Sequence, residues 1–167
     1  MAGIQQGGNI TPGHAAAWVT ANVLGDGGPV LASQKVLASI RGANFNTTTD
    51  QPLILPPAIT AFQLTGLLIT NASLSLTTAA GGFYTAASKN GSALVAAGQV
   101  YSSLTTANLL LLATLTAFAQ TARLSLNNLG LLLGANNQNA LALYFALTTA
   151  QGAAATADVY VLGIDLS

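Results

Sequence analysis

Cysteine and glutamate are both missing from this chain of 167 residues, which carries only four Lys plus Arg and four Asp. Without cysteine there is no disulfide framework, no thiolate nucleophile and no zinc knuckle. The shortage of charge says more. A compact monomer of 16.7 kDa exposes roughly 7,600 Å², so eight charges leave one per roughly 950 Å². Soluble surfaces are ordinarily about 25 to 35 per cent charged residues. Either Thr, Asn, Ser and Gln hydrate this surface, or partners cover much of it. A mean hydropathy of +0.57 favours a permanent oligomer, because obligate interfaces resemble a core cut in half.

A net charge of zero and a pI near 6.5 argue against nucleic acid as a partner. Neutralising several phosphates takes clustered cations, and Lys35, Arg41, Lys89 and Arg123 are scattered. The best membrane window, Leu104 to Ala122, is interrupted by Thr105, Thr106, Asn108, Thr114, Thr116, Gln120 and Thr121 and has no aromatic or basic belt. No membrane partner is expected. Met1 to Asn9 has neither the basic nor the apolar region of a secretory signal. The four Asn-x-Ser/Thr sites, at Asn9, Asn46, Asn71 and Asn90, are what a chain rich in these residues makes by chance.

Catalysis has little to work with. General acid-base chemistry needs a titratable group held in a rigid cleft, and His14, the one histidine, lies between Gly13 and a run of alanines. No Gly-x-Ser-x-Gly elbow and no phosphate-binding glycine loop with its lysine occurs. Asp26, Gly27 and Gly28 read as a turn, since one carboxylate falls far short of the oxygens a calcium ion requires. Asp158 and Asp165 flank the last strand without the spacing of a glycosidase pair. Tyr84, Tyr101, Tyr144 and Tyr160 read as sheet residues with the ring packed and the hydroxyl at the rim, rather than as a carbohydrate platform. The expectation is a protein that is not an enzyme and that holds no cofactor and no metal.

Residues 1–33 read as an extended arm, because glycines and Pro12 and Pro29 punctuate them and leave no room for a long regular element. Residues 34–167 read as one all-β domain, a jelly-roll-like sandwich of seven to nine strands, from short apolar or alternating runs at even spacing. Leu141, Leu143, Phe145 and Leu147 form one dry face; Val159 and Val161 mark the last strand; Thr121 to Leu126 alternates wet and dry. Leu67 to Leu76 also alternates, but its first half is apolar on both sides, as suits a central strand. Asn90-Gly91 predicts a tight hairpin turn. Pro52, Pro56 and Pro57 frame Leu53, Ile54 and Leu55 as an edge strand or crossing loop. Leu109 to Phe118 fits both periodicities, and its threonines favour strand. An echo of Leu76-Thr-Thr-Ala-Ala-Gly81 in Leu147-Thr-Thr-Ala-Gln-Gly152 reads as two similar turns rather than a duplication.

Three stretches carry a resemblance. Gly8 to His14 with Trp18, Val19 and Asp26 to Gly28 resembles N-terminal segments of tailed-phage virion proteins. Thr70 to Ser73 and Leu76 to Tyr84 resemble a pattern in small phage head-decoration proteins, and Leu147 to Val161 is similar. Together they span about half the chain. The resemblance implies a capsid decoration, or cement, protein on the outer surface of the virion. Its partners would be the major capsid protein and copies of itself, as a homotrimer. A head-fibre, tail or receptor-binding protein that recognises host glycan is the alternative. The interface residues expected on this reading are His14, Trp18, Phe45, Leu53, Ile54 and Leu55, with Trp18 the leading anchor because large aromatics dominate interface energetics.

Overall fold

A computed structural model describes residues 34–132 and 140–167. These hold ten strands: β1 (Gln34–Asn44), β2 (Gln51–Ile54), β3 (Ala61–Thr70), β4 (Ala80–Ala86), β5 (Asn90–Val95), β6 (Leu110–Leu112), β7 (Arg123–Ser125), β8 (Gly130–Leu132), β9 (Ala140–Thr149) and β10 (Thr156–Asp165). One short helix, α1 (Ala117–Thr121), precedes β7. The arm expected over 1–33 lies outside the described residues.

Every strand pair is antiparallel, and the pairing is nested: β4 with β5, β3 with β6, β2 with β9, β1 with β10. The chain is thus one long hairpin ribbon folded back on itself. Rolling the ribbon drops alternate pairs into opposite sheets, with the orders β1-β10-β3-β6 and β2-β9-β4-β5. Pairing of β10 with β3 and of β9 with β4 completes the two sheets. That is the jelly-roll arrangement, and the expected all-β sandwich is what the chain forms. β7 and β8 are small additions that pair with β3 and β9.

One core lies between the sheets. Val159 and Val161 of β10 face Ile69 and Leu67 of β3, and all four are fully buried. From the other sheet come Leu143, Phe145 and Leu147 of β9, also fully buried. Burying each such side chain contributes about 1.5–3 kcal/mol. At the centre, Phe145 packs 4.9 Å from Phe83 and 5.0 Å from Phe45, while Tyr101 meets Phe45 edge-on at 5.4 Å. The Tyr101 hydroxyl donates to the Gly81 carbonyl at 3.0 Å, so this tyrosine reaches no rim and is buried whole.

Several local expectations are corrected. The β4–β5 hairpin exists, but its turn sits two residues earlier than Asn90-Gly91. Ser88 and Lys89 take the left-handed conformation, with φ of 60° and 57°, and the Asn90 N–H closes the turn on the Ala87 carbonyl at 3.2 Å. Two successive positive φ values make the tight turn that suits strand twist. Gly91, at φ 72°, then supplies the irregularity that lets β5 join the ladder. The strand expected over Leu67 to Leu76 stops at Thr70, where Asn71 turns left-handed at φ 54°.

Leu109 to Phe118 is strand only over β6. Leu115 makes an isolated bridge to Val95, and Thr116 then caps α1 by accepting the Ala119 N–H at 3.2 Å. Thr121 falls in α1, which leaves Arg123 to Ser125 as the strand. The two echo segments lie side by side. Gln151 accepts the N–H groups of Thr78 and Ala79 and donates to Thr77, while the Thr78 hydroxyl donates to the Gln151 carbonyl.

Candidate protein interface

Directly opposed residues of antiparallel strands project from the same face, so the ladder specifies what the outer surface of the β1-β10-β3-β6 sheet presents. One row reads Val36, Leu162, Gly66 across β1, β10 and β3. The next reads Ser39, Tyr160, Leu68, Leu112 across all four strands. Ile164 precedes these rows on β10, and Leu110 follows Leu112's row on β6. Val36, Leu110 and Leu112 are 54, 57 and 60 per cent exposed. Leu68, Tyr160, Leu162 and Ile164 are half-buried. Leu112 leans over Gly66, where an added Cβ would lie 3.0 Å from its Cδ1.

Four strands about 4.8 Å apart and five residues at about 3.4 Å each cover roughly 300–400 Å² in projection. The largest apolar patch on a typical soluble monomer is about this size and is often functional. Sheet exteriors facing water normally carry polar side chains at these positions.

Charge lies at both ends of the patch, and at one of them it reaches onto it. At one end the Asp158 carboxylate accepts from Asn71 Nδ2 at 2.9 Å and from the Gly42 N–H at 2.9 Å, with Arg41 at 3.6 Å. The hydrogen bonds from Asn71 and Gly42 hold its pKa below the usual carboxylate value, and the Arg41 charge adds to them. Arg41 also stacks over the Tyr160 ring, 5.6 Å from its centre. At the opposite end the row is Gln34, Ile164, Gln63, Arg123. Arg123 donates to the Leu166 carbonyl at 3.2 Å, and no carboxylate among the described residues pairs with it. Lys35 and Asp165, joined at 2.7 Å, alternate with the outward residues and tie the strand ends together.

The expected interface residues fare differently. His14 and Trp18 lie outside the described residues. Phe45, Leu53 and Leu55 have no exposed surface and belong to the core between the sheets, so they are not available as anchors for a partner. Proline does place β2 at the sheet edge, but an edge strand still turns every second side chain inward. Ile54 alone is half-exposed. The residues missed were Val36, Leu68, Leu110, Leu112, Tyr160 and Leu162. Their signal was in the sequence, since β3 is apolar on both sides at its end and four consecutive leucines cover β6.

No family model, curated protein or solved structure matches the chain. Among the described residues no cluster of three metal-ligating side chains occurs. No helix there is long and apolar enough to cross a membrane. The depression beside Arg123 has a volume of about 390 Å³ and is lined by Thr60, Ala61, Ser125, Leu126 and Asn127. Arg123 is its one titratable group, which leaves no acid-base pair there.

Proposed function

We propose that this chain is a non-enzymatic structural subunit of a phage-type virion, a decoration protein that binds the outer surface of the capsid shell and stabilises it. The observation that carries the reading is the apolar outer face of the β1-β10-β3-β6 sheet on a body with so few charges. A surface of this kind is buried without stranding unpaired ions, whose desolvation is costly. The jelly-roll body supports the reading as a rigid platform, and the glycine- and proline-punctuated residues 1–33 supply a segment able to lie along neighbouring subunits. Many weak contacts repeated around a closed shell add up, because each further attachment is effectively intramolecular.

The test compares complete particles with particles lacking the protein. Loss of the protein is expected to lower the temperature at which particles release DNA, with restoration on adding it back. Equal fragility of the two preparations overturns the reading. Binding to a glycan array, with the protein located at the tail by microscopy, would instead establish receptor recognition.

A further inference from the structure

We propose that Asn90 is a site of spontaneous covalent modification, where loss of ammonia through a cyclic imide leaves the β4–β5 turn with an aspartate or an isoaspartate.

Asparagine is among the thermolabile side chains, and its reaction has simple requirements: a following backbone nitrogen that nothing crowds, an accessible carboxamide, and water. The Gly91 backbone nitrogen gives up its proton and bonds to Cγ of Asn90, the Cγ–Nδ2 bond breaks, and ammonia departs. Water then opens the five-membered imide at either carbonyl. One opening restores an ordinary peptide with Asp at position 90; the other leaves the chain running through Cβ as isoaspartate. Water is the one co-reactant, and nothing is oxidised or reduced.

Of the twelve asparagines only Asn90 precedes a glycine, so only there does the attacking nitrogen belong to a residue without a Cβ. The fold leaves this pair open. Ala87 to Gly91 are all exposed. Ala86 opposes Asn90 and Tyr84 opposes Ala93, so Thr85 alone faces both Gly91 and Ser92, as at a β-bulge, and Gly91 has no partner in register. The Thr85 hydroxyl accepts the Ser92 N–H at 2.9 Å. Elsewhere the carboxamides are held: Asn71, Asn108 and Asn128 donate to Asp158, the Ser103 carbonyl and the Arg123 carbonyl at 2.9, 2.7 and 3.3 Å. Nor does the fold tolerate another residue at 91, where φ is 72° and an added Cβ would overlap the Thr85 hydroxyl. The bulge that joins β5 to β4 thus imposes the reactive pair.

The two products differ in effect. Isoaspartate adds a backbone atom between the turn, closed by the Asn90 N–H on the Ala87 carbonyl, and the strand that carries buried Leu94 and Val95. Aspartate adds only a negative charge, on a turn whose Ser88 N–H already binds Asp50.

The test ages the purified full chain in mildly alkaline buffer below its melting temperature, beside the same chain in urea. Peptide mass spectrometry, with fragmentation that separates aspartate from isoaspartate, follows every asparagine. The controls are Asn90→Gln, whose longer side chain must close a six-membered ring, and freshly prepared Asn90→Asp. In the native chain Asn90 is expected to convert several-fold faster than any other asparagine. Isoaspartate accumulates and the aged chain melts lower than fresh Asn90→Asp, while Asn90→Gln ages without a shift. Conversion of Asn90 in urea but not in the native chain overturns the proposal, because the ladder then protects the pair. So does conversion spread evenly over the asparagines, conversion to aspartate with no isoaspartate, or an equal fall in melting temperature for aged Asn90→Gln.

Discussion

Tyr101 shows how much a single polar atom matters inside this core. Its phenol is fully buried and gives its proton to the Gly81 carbonyl, and burial pushes its pKa well above the ordinary tyrosine value. A group whose pKa is raised by folding contributes stability that is intact below the unfolded pKa, about 10 for tyrosine, and that is lost as pH climbs beyond it. Alkaline unfolding is expected to begin above pH ~10, with Tyr101 silent to ultraviolet titration until the chain unfolds. Tyr101→Phe should cost about 1–2 kcal/mol in urea titration at pH 7 and should blunt that alkaline loss. Phe145, in contact with both Phe45 and Phe83, is a larger loss. Phe145→Ala removes the centre of the aromatic cluster and should cost about 3–5 kcal/mol by the same measurement.

At the scale of elements, β10 is fastened at both ends by its own aspartates. Asp165 accepts from Lys35 of β1 and from the Ser167 N–H, which lowers its pKa to about 2. Asp158 is lowered by Asn71 and then by Gly42. Both pKa values are depressed by folding, so their contribution is whole above the unfolded value, near 3.9, and is lost as pH falls through the folded values. The melting temperature should therefore hold down to pH ~5 and fall between about pH 4 and pH 2. Lys35→Met should flatten the lower part of that fall.

The β4–β5 turn offers the opposite kind of test. Ser88 and Lys89 both occupy positive φ, where Asn and Gly are favoured. Replacing the pair with Asn-Gly should raise stability by about 1 kcal/mol in thermal or urea unfolding. The backbone N–H of residue 88, which donates to Asp50, survives the exchange.

At the scale of the molecule, the nested ribbon joins the first described strand to the last, so most of the sandwich depends on contacts between residues far apart in sequence. β10 runs between β1 and β3, and deleting residues 156–167 takes out a central strand and bares both neighbours. The truncated chain should show no cooperative unfolding transition and should be recovered as aggregate, measured by circular dichroism and sedimentation. Topologies dominated by such distant pairings fold slowly, in milliseconds to seconds, and stopped-flow refolding of the intact chain should fall in that range.

Periodicity made the strands legible: the dry row of Leu141 to Leu147 and the inward Val159 and Val161 were readable because alternate residues of a strand share a face. The even spacing of these runs, with turn residues between them, was enough to indicate a sandwich. Turn position was not legible, because Asn-Gly is the pair that favours the left-handed positions locally, while in the structure Ser88 and Lys89 occupy them. The scarcity of charge pointed to a surface that can be covered, but composition carries no address. Phe45, Leu53 and Leu55 looked like anchors and are core, while Leu110 and Leu112, in a segment whose alternation did not say which side faces in, are exposed. Local sequence determined which residues alternate; only the rolling of the ribbon, which puts one face of each sheet against the other, decided which apolar face was buried and which was left exposed.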